Sequence, residues 1–214
     1  MDDFSGSALA GLSEQEILQN HERLVQRDGF FLQFGYDMGA SIEFVLEQAL
    51  PLAGPVLEFA TGKGRFVSRL AARVPRVTSV ELDSAEQRIA MLNAAHAGVL
   101  QKIEFVAADA ARLSWPDRHF GSVVSMNTMH HITPVAAVLE ELVRVTRPDG
   151  KIVISDFDEE GFAIMDRIHA SEGGAHSRSS CTTEQLVSFF EGIGWKVRCV
   201  SGALQTVVIA TGVA

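Results

Sequence analysis

The chain has few cysteines, and the two it has show no recognisable spacing. Cys181 and Cys199 are far apart, unlike the closely spaced pairs found in metal and redox motifs. We therefore expect two reduced, unrelated thiols rather than a disulfide or a redox pair. The sequence predicts no metal site.

Basic residues are also scarce, because 18 lysines and arginines stand against 27 acidic residues, for a formal net charge of −9. Binding to nucleic-acid phosphates needs clustered basic side chains. The charge balance therefore argues against a nucleic-acid partner. It leaves a cationic small molecule open as a substrate.

Targeting and membrane signals are missing from the sequence as well. The first residues lack the basic region and the apolar run of a signal peptide. No apolar stretch approaches the ~20 residues that span a bilayer. With 214 residues, 47% of them hydrophobic and 21% charged, we expect a single cytoplasmic globular domain with a substantial core.

From residue 56 onward, strand and helix patterns alternate. Strands are predicted over 56–60, 77–81, 103–107, 122–126 and 151–155, and helices over 65–74, 84–96 and 133–146, the last with Pro134 in its first turn. This alternation predicts a doubly wound, mostly parallel sheet with helices on both faces. A turn at residues 148–150 precedes the fifth strand.

The C-terminal part of the chain predicts a different pairing. After a capped helix that begins near Thr182, two more strands over 195–200 and 206–210 are separated by only five residues. So short a connection permits only an antiparallel pair. The predicted fold class is therefore α/β, with a seven-stranded, mostly parallel sheet that ends in an antiparallel hairpin.

Two segments flank this sheet within the single domain 1–214. The first, about 1–50, predicts a helical cap with a capping box at Ser13 and Glu16 and an aromatic stretch that includes Phe30, Phe31 and Phe34. We interpret those phenylalanines mainly as core. The second segment, about 157–181, predicts a lid, since lids exclude water and shape the substrate pocket. Its His169 and His176 are interpreted as surface residues.

The most informative stretch is a buried strand that runs from Val56 into the glycine-rich turn 60–64. One βα unit later, a second strand ends at Glu81. An acid at the tip of that strand can accept both hydroxyls of a ribose, while glycines let the ligand approach the backbone closely. This pairing predicts a cofactor that contains adenosine. A nicotinamide site would need a third glycine where Val67 stands.

Together with residues 105–110 and 142–151, these motifs resemble the class I S-adenosylmethionine-dependent methyltransferases, in the branch related to the ubiquinone- and menaquinone-biosynthesis methyltransferases. The resemblance implies a Rossmann-like methyltransferase fold and S-adenosylmethionine as the cofactor. It also implies transfer of a methyl group, by in-line displacement, to a small-molecule acceptor.

The resemblance assigns one group of residues to the methionine end of the cofactor. The backbone of Ala60, Gly62 and Gly64 would line it, and Glu58 would reach the ammonium directly or through water. Asn127 would lie beside the same end. The family usually has glycine in place of Ala60, and a methyl group there is tolerable only if φ is negative.

A second group of residues is assigned to the adenosine end. Glu81 would bind the ribose and Leu82 would pack on the adenine ring. Asp109 would accept a hydrogen bond from the adenine amino group, and the backbone amide of Ala110 would contact a ring nitrogen.

The catalytic residues are less well defined by the sequence. His130 or His131 could take a proton from the acceptor, because unperturbed histidine titrates near neutrality; alternatively, the pair only shapes its loop. The acids at 156–160 could hold a divalent cation, although a solvated loop is the simpler interpretation. Two other functions stay open: a nicotinamide-dependent oxidoreductase, or a non-catalytic protein that binds S-adenosylmethionine. The acceptor, the methylated atom and the oligomeric state are not predicted.

Overall fold

A computed structural model describes residues 11–175 and 181–213. These residues form sixteen secondary-structure elements. Two of them are short 3₁₀ turns, one before the third strand and one after the fourth. The remaining elements are α1 Glu14–Gln33, α2 Met38–Ala49, β1 Val56–Phe59, α3 Arg65–Arg73, β2 Val77–Glu81, α4 Ser84–His96, β3 Ile103–Ala107, β4 Phe120–Met126, α5 Val135–Val145, β5 Thr146–Phe157, α6 Glu159–Ser171, α7 Thr183–Gly192, β6 Lys196–Gly202 and β7 Gln205–Thr211.

The seven strands form one sheet in the order β3-β2-β1-β4-β5-β7-β6. All pairs from β3 across to β5 are parallel, whereas β7 runs antiparallel to both β5 and β6. The predicted fold class and the terminal hairpin are confirmed. Because the chain moves outward from β1 to β3 and then returns to the other side of β1, the sheet has a switch point between β1 and β4. Ligands of such sheets bind at the carboxyl ends of the strands there.

Apolar residues cover both faces of the sheet. One cluster packs α2 and α3 against the strands through Ile42, Leu46 and Leu70, and the opposite cluster packs α5 and α7 through Leu142 and Phe190. Strand β1 is buried along its whole length, as expected for a central parallel strand. The glycine turn that follows β1 therefore stands on a rigid base.

A third apolar cluster joins the two flanking segments. Tyr36, between α1 and α2, packs with Phe157, Met165 and Ile168 around α6, while Phe30, Phe31 and Phe34 lie against this cluster. The N-terminal segment and the start of the predicted lid thus cover the same end of the sheet. His176 lies outside the described residues.

The structure differs from the predictions in three places. The turn predicted at 148–150 lies inside the longer strand β5: Phe120 pairs with Thr146 and Ser122 with Lys151, so residues 147–150 bulge out opposite Gly121. Pro134 is the N-cap residue of α5 rather than part of its first turn. The acids at 156–160 are not a loop, since they close β5 and open α6, where Asp158 caps the helix through the N–H of Gly161.

The described residues contain neither a candidate metal site nor a helix suited to crossing a membrane. No group of three or more histidine, cysteine or acidic side chains in residues 11–175 and 181–213 has the geometry to hold a metal ion. Within the same ranges, no helix combines the length and apolarity required to cross a membrane.

Candidate cofactor and acceptor site

The glycine-rich turn between β1 and α3 uses a left-handed backbone at three positions. Ala60, Gly62 and Gly64 have φ values of 53°, 50° and 72°. The sequence predicted that a methyl group at Ala60 is tolerable only if φ is negative. The observed φ is positive, so this condition is not met. A left-handed backbone costs an L-residue about 1–2 kcal/mol, so the turn holds Ala60 in a strained conformation.

Gly64 is fixed by a close helix contact rather than by the ligand. It precedes the first residue of α3, and a Cβ there would lie 2.6 Å from Ala90 Cβ and 2.7 Å from Ala90 Cα on α4. Gly62 has no such neighbour, because among the described residues no atom outside Gly62 and its two neighbours in the chain lies within 4 Å of the position that a Cβ would occupy there. Gly64 brings α3 and α4 together behind the turn.

This difference predicts unequal effects of two alanine substitutions. Gly64→Ala adds both a clash with α4 and a left-handed alanine, and should lower the free energy of unfolding by about 2–4 kcal/mol. Gly62→Ala adds only the left-handed alanine and should cost about 1–2 kcal/mol. Urea unfolding of the two variants measures both values. Equal losses would show that the contact with Ala90 does not constrain Gly64.

Glu81 ends β2 with its carboxylate held by three backbone amides. Oε2 accepts the N–H of Gly62 at 2.7 Å, and Oε1 accepts those of Leu82 and Asp83 at 2.8 and 3.0 Å. The carboxylate is thereby tied to the glycine turn and oriented before any ligand binds. It retains further lone pairs that can accept hydroxyl groups.

Glu81 borders the first of two neighbouring lobes of one cleft, which we call the adenosine lobe. This lobe has a volume of about 330 Å³ and is lined by Glu81, Leu82, Asp109 and Ala110, among others. Leu82 is 72% exposed, an apolar side chain left free to cover a flat ring. Asp109 Oδ1 accepts the N–H of Ala111 at 2.8 Å, which holds its carboxylate in place.

The second lobe, which we call the methionyl lobe, also measures about 330 Å³. The two lobes share the lining residues Ala60, Gly62, Asn127 and His131. An elongated ligand can therefore extend from one lobe to the other across the glycine turn. The far wall of the methionyl lobe comes from both flanking segments and includes Phe31, Met38, Phe157, Met165 and His169.

Asn127 stands where the lobes meet, directly after β4. Its φ is 55°, its N–H donates to the carbonyl of Ser155 at 2.8 Å, and its side-chain Nδ2 donates to the Tyr36 hydroxyl at 3.3 Å. Its Oδ1 is buried and has no hydrogen-bond partner among the described residues. A buried acceptor left unsatisfied costs about 1–3 kcal/mol, so a ligand ammonium would fit this position.

These observations test whether the site suits S-adenosylmethionine. The adenosine lobe supplies an oriented carboxylate for the ribose and an apolar cover for the adenine, and the shared region supplies an unsatisfied acceptor for an ammonium. The predicted residues that line the lobes are Ala60, Gly62, Glu81, Leu82, Asp109, Ala110, Asn127, His130 and His131. The residues present fit the cofactor.

Glu58 lies outside the two lobes. It is absent from the residues that line either lobe and is only 2% exposed. Its Oε2 accepts hydrogen bonds from the hydroxyls of Thr61 at 2.8 Å and Ser79 at 2.9 Å. Glu58 thus supports the turn from below, and a direct contact with the ammonium stays a prediction.

Burial also changes the charge of Glu58. It raises the pKa of the Glu58 carboxyl to about 8, against the smaller lowering effect of the Thr61 and Ser79 hydroxyls, and the nearby Glu81 raises it further. The carboxyl is therefore largely protonated at neutral pH in the ligand-free protein.

The raised pKa predicts that stability falls as pH increases. The pKa of Glu58 rises from an ordinary value of 4.5 to about 8 on folding, so its contribution is complete below 4.5 and is lost as pH rises through 8. The slope due to this group is at most about 1.4 kcal/mol per pH unit. Urea unfolding between pH 5 and 8.5 should show a smaller decline in Glu58→Gln than in the wild type. Parallel curves would contradict the raised pKa.

His130 forms a close pair with Asp156 beside the methionyl lobe. Nδ1 of His130 lies 2.6 Å from Asp156 Oδ1, and the His130 N–H donates to Oδ2 at 3.0 Å. Oδ1 also accepts the N–H of Phe157 at 2.9 Å. The imidazole is 3% exposed and packs beside the rings of Phe157 and Phe162. Such a carboxylate fixes the orientation and the tautomer of a histidine.

His131 differs from its neighbour. It lines both lobes, and burial, reinforced by the charge of His130, lowers its pKa. His130, the other predicted proton acceptor, has a hydrogen bond to a carboxylate that would orient it. Sequence reasoning interpreted Asp156 as part of a solvated loop or as a ligand of a divalent cation and did not connect it with His130. It also missed Tyr36, Met38 and Met165.

Comparison with known proteins agrees with this geometry. Residues 57–154 match the methyltransferase domain family. The ubiquinone/menaquinone biosynthesis C-methyltransferase UbiE of Pseudomonas putida is 28% identical over 117 residues, which cover 53% of this chain and 46% of that protein. The match thus spans about half the length of this curated relative.

Solved structures extend the likeness to most of the fold. A SAM-dependent methyltransferase from Aquifex aeolicus superposes with a TM-score of 0.61 at 21% identity, covering 80% of this chain and 89% of that one. The [4+2]-cyclase SpnF superposes with a TM-score of 0.64 at 16% identity, covering 81% and 80%. At these identities the likeness concerns the fold alone.

Residues 57–154 carry the family match, the sheet around them has the fold of solved methyltransferases, and the cleft fits the cofactor that the family implies. Through residues 57–154 this chain resembles the class I S-adenosylmethionine-dependent methyltransferases, UbiE among them, and S-adenosylmethionine is the cofactor that this resemblance implies.

Proposed function

We propose that this chain transfers a methyl group from S-adenosylmethionine to an apolar small-molecule acceptor. The observation that carries the proposal is the two-lobed cleft at the switch point, in which an oriented Glu81 borders one lobe and the unsatisfied Asn127 Oδ1 lies where the lobes join. The bound cofactor supplies a methyl group on a cationic sulfur, which a nucleophile displaces in line as a neutral thioether leaves.

The adenosine lobe holds one end of the cofactor in this proposal. Glu81 accepts the ribose hydroxyls, and Leu82 covers one face of the adenine. Asp109 accepts from the adenine amino group, and the backbone amide of Ala110 contacts a ring nitrogen. Because the three backbone amides already fix the Glu81 carboxylate, little ordering of this side chain is needed on binding.

The wall of the methionyl lobe indicates the class of acceptor. Phe31, Met38, Phe157 and Met165 make one side of this lobe apolar, and His130 and His169 add imidazoles. An apolar or aromatic molecule with one nucleophilic group fits such a wall. The aromatic side chains and the thioethers favour flat rings.

His130 is the proposed proton acceptor for a nucleophile that arrives protonated. Asp156 holds its Nδ1, which favours the neutral tautomer with the proton on Nδ1 and makes Nε2 the atom that accepts a proton in this proposal. Proximity and alignment supply the rest of the catalysis, since the leaving group already carries a positive charge.

Two alternatives are distinguished by experiment. The fold also occurs in the cyclase SpnF, so the fold alone does not establish methyl transfer. The second candidate function is a non-catalytic protein that binds the cofactor. We expect release of S-adenosylhomocysteine when the purified protein and S-adenosylmethionine are incubated with flat phenols, hydroxyquinones and arylamines. Tight cofactor binding without turnover across that panel would favour the non-catalytic candidate.

A further inference from the structure

Tyr36 is the only tyrosine in the chain and is fully buried between α1 and α2. The proposed function assigns it no task. Burial raises the pKa of its phenol, so the hydroxyl stays neutral and can both donate and accept hydrogen bonds. A polar group at 0% exposure in an aromatic cluster needs partners, and those partners lead to the cleft.

The Tyr36 hydroxyl is the centre of a small buried network. It accepts from Asn127 Nδ2 at 3.3 Å and from Gln205 Nε2 at 3.4 Å, and it donates to Met38 Sδ at 3.9 Å. Gln205 is oriented in turn, because its Oε1 accepts the hydroxyl of Ser155 at 2.8 Å. Three parts of the fold, namely the N-terminal segment, the residue after β4 and β7, thus converge on one phenolic oxygen.

This network determines which way the Asn127 amide faces. The amide N–H groups of Asn127 and Gln205 both donate to the phenolic oxygen, which also interacts with the Ser41 hydroxyl and lies 3.9 Å from Met38 Sδ. In this network Asn127 presents its NH₂ group to Tyr36, and its Oδ1 is buried without a hydrogen-bond partner among the described residues, in a side chain that lines both lobes. A reversed amide would direct N–H groups at the ligand and would repel an ammonium.

We infer that Tyr36 is a positioning residue, which turns the carbonyl oxygen of Asn127 toward the ammonium at the amino-acid end of the cofactor. The inference rests on the proposed function for the identity of that cofactor. The inference also makes the N-terminal segment part of the cofactor site, because Tyr36 belongs to that segment. No side chain that precedes Met38 in the segment is assigned to hold the amino-acid end directly.

Calorimetric titration with two ligands tests this inference without knowledge of the acceptor. S-adenosylhomocysteine carries the amino-acid end, whereas 5′-methylthioadenosine has the same nucleoside and a thioether but lacks that end. In Tyr36→Phe we expect the first ligand to bind about tenfold more weakly, the size of one lost hydrogen bond. Binding of 5′-methylthioadenosine should stay within about twofold of the wild type, which also reports that the variant is folded.

Asn127→Gly supplies a second variant that suits the positive φ at this position. It should lose at least as much affinity for S-adenosylhomocysteine as Tyr36→Phe. If Tyr36 acts through Asn127, the double variant binds no more weakly than Asn127→Gly alone. Thr146→Val is the matched control, because it removes a buried hydroxyl that donates to Leu142 O at 2.6 Å on the helix α5 side of the sheet.

The outcomes separate the inference from the proposed function. Equal losses for both ligands in Tyr36→Phe, no loss for either, or additive losses in the double variant would each overturn the positioning role while the cofactor site stands. A wild-type protein that binds neither ligand would overturn the proposed function together with the inference.

Discussion

Glu81→Ala is expected to weaken the binding of S-adenosylhomocysteine by about 1–3 kcal/mol, or about 5- to 150-fold, the value of hydrogen bonds to a charged group. The wild-type carboxylate is oriented by Gly62, Leu82 and Asp83. It therefore meets the ribose without reorganisation, and alanine removes both of its oxygens. Calorimetric titration of the two proteins measures the difference.

Glu104→Ala is the control for this substitution. Glu104 is an exposed acid on the neighbouring strand β3, and it is absent from the residues that line either lobe. The control should bind with wild-type affinity, because it changes the net charge by the same amount outside the cleft. Unchanged affinity in Glu81→Ala would remove the ribose contact from the account.

His130→Ala should lower kcat for a protonated acceptor by about 10²- to 10⁴-fold, the usual contribution of general-base catalysis. Asp156→Asn should act in the same direction. The two carboxylate oxygens of Asp156 face N–H groups of His130 and Phe157 and the imidazole Nδ1, and an asparagine cannot accept at both positions. A misplaced NH₂ group would favour the wrong imidazole tautomer.

Two controls separate a role in proton transfer from damage to the site. Affinity for S-adenosylhomocysteine should stay within about threefold in both variants, well under 1 kcal/mol. Asp158→Asn changes a neighbouring acid but keeps a residue that can cap α6, so it should retain kcat. Steady-state rates against pH provide the check, because the loss should shrink as the acceptor ionises. Full activity in His130→Ala would show that no proton passes through this imidazole.

Local sequence was sufficient to predict the sheet and the adenosine lobe. Apolar runs indicated the strands, and the short predicted link of five residues, which is two residues in the structure, indicated the hairpin. Parallel neighbours joined by a helix bring their carboxyl ends together. An acid at the end of β2 therefore had to lie beside the turn after β1, as Glu81 does.

Contacts between distant parts of the chain were harder to predict. Tyr36 lies 91 positions from Asn127 and 169 positions from Gln205, and no local pattern links them. His130 and Asp156 are a nearer case, because β4 and β5 are parallel neighbours in which Met126 pairs with Ser155. Residues just beyond those pairs had to be close, so a predicted strand order would have revealed this contact.

Local rules were overridden at two positions by the packing around them. Pro148-Asp149-Gly150 is a typical turn sequence, yet pairing with β4 on both sides keeps it within the strand β5 as a bulge. The expectation for Ala60 considered only the intrinsic preference of alanine for negative φ. In the fold, the backbone N–H and the hydroxyl of Thr61 both donate to the carbonyl of Val80 on β2. Ala60, the residue before Thr61, has a left-handed backbone in this arrangement.

The most direct test of the account is a calorimetric titration of the purified protein with S-adenosylhomocysteine and, in parallel, with NADH. We expect micromolar binding of S-adenosylhomocysteine, because the proposal places its ribose at the oriented Glu81 carboxylate and its ammonium at the unsatisfied Asn127 Oδ1. We expect no binding of NADH, since Val67 stands in place of the third glycine of a nicotinamide site. Binding of NADH together with no binding of S-adenosylhomocysteine would contradict the central claim.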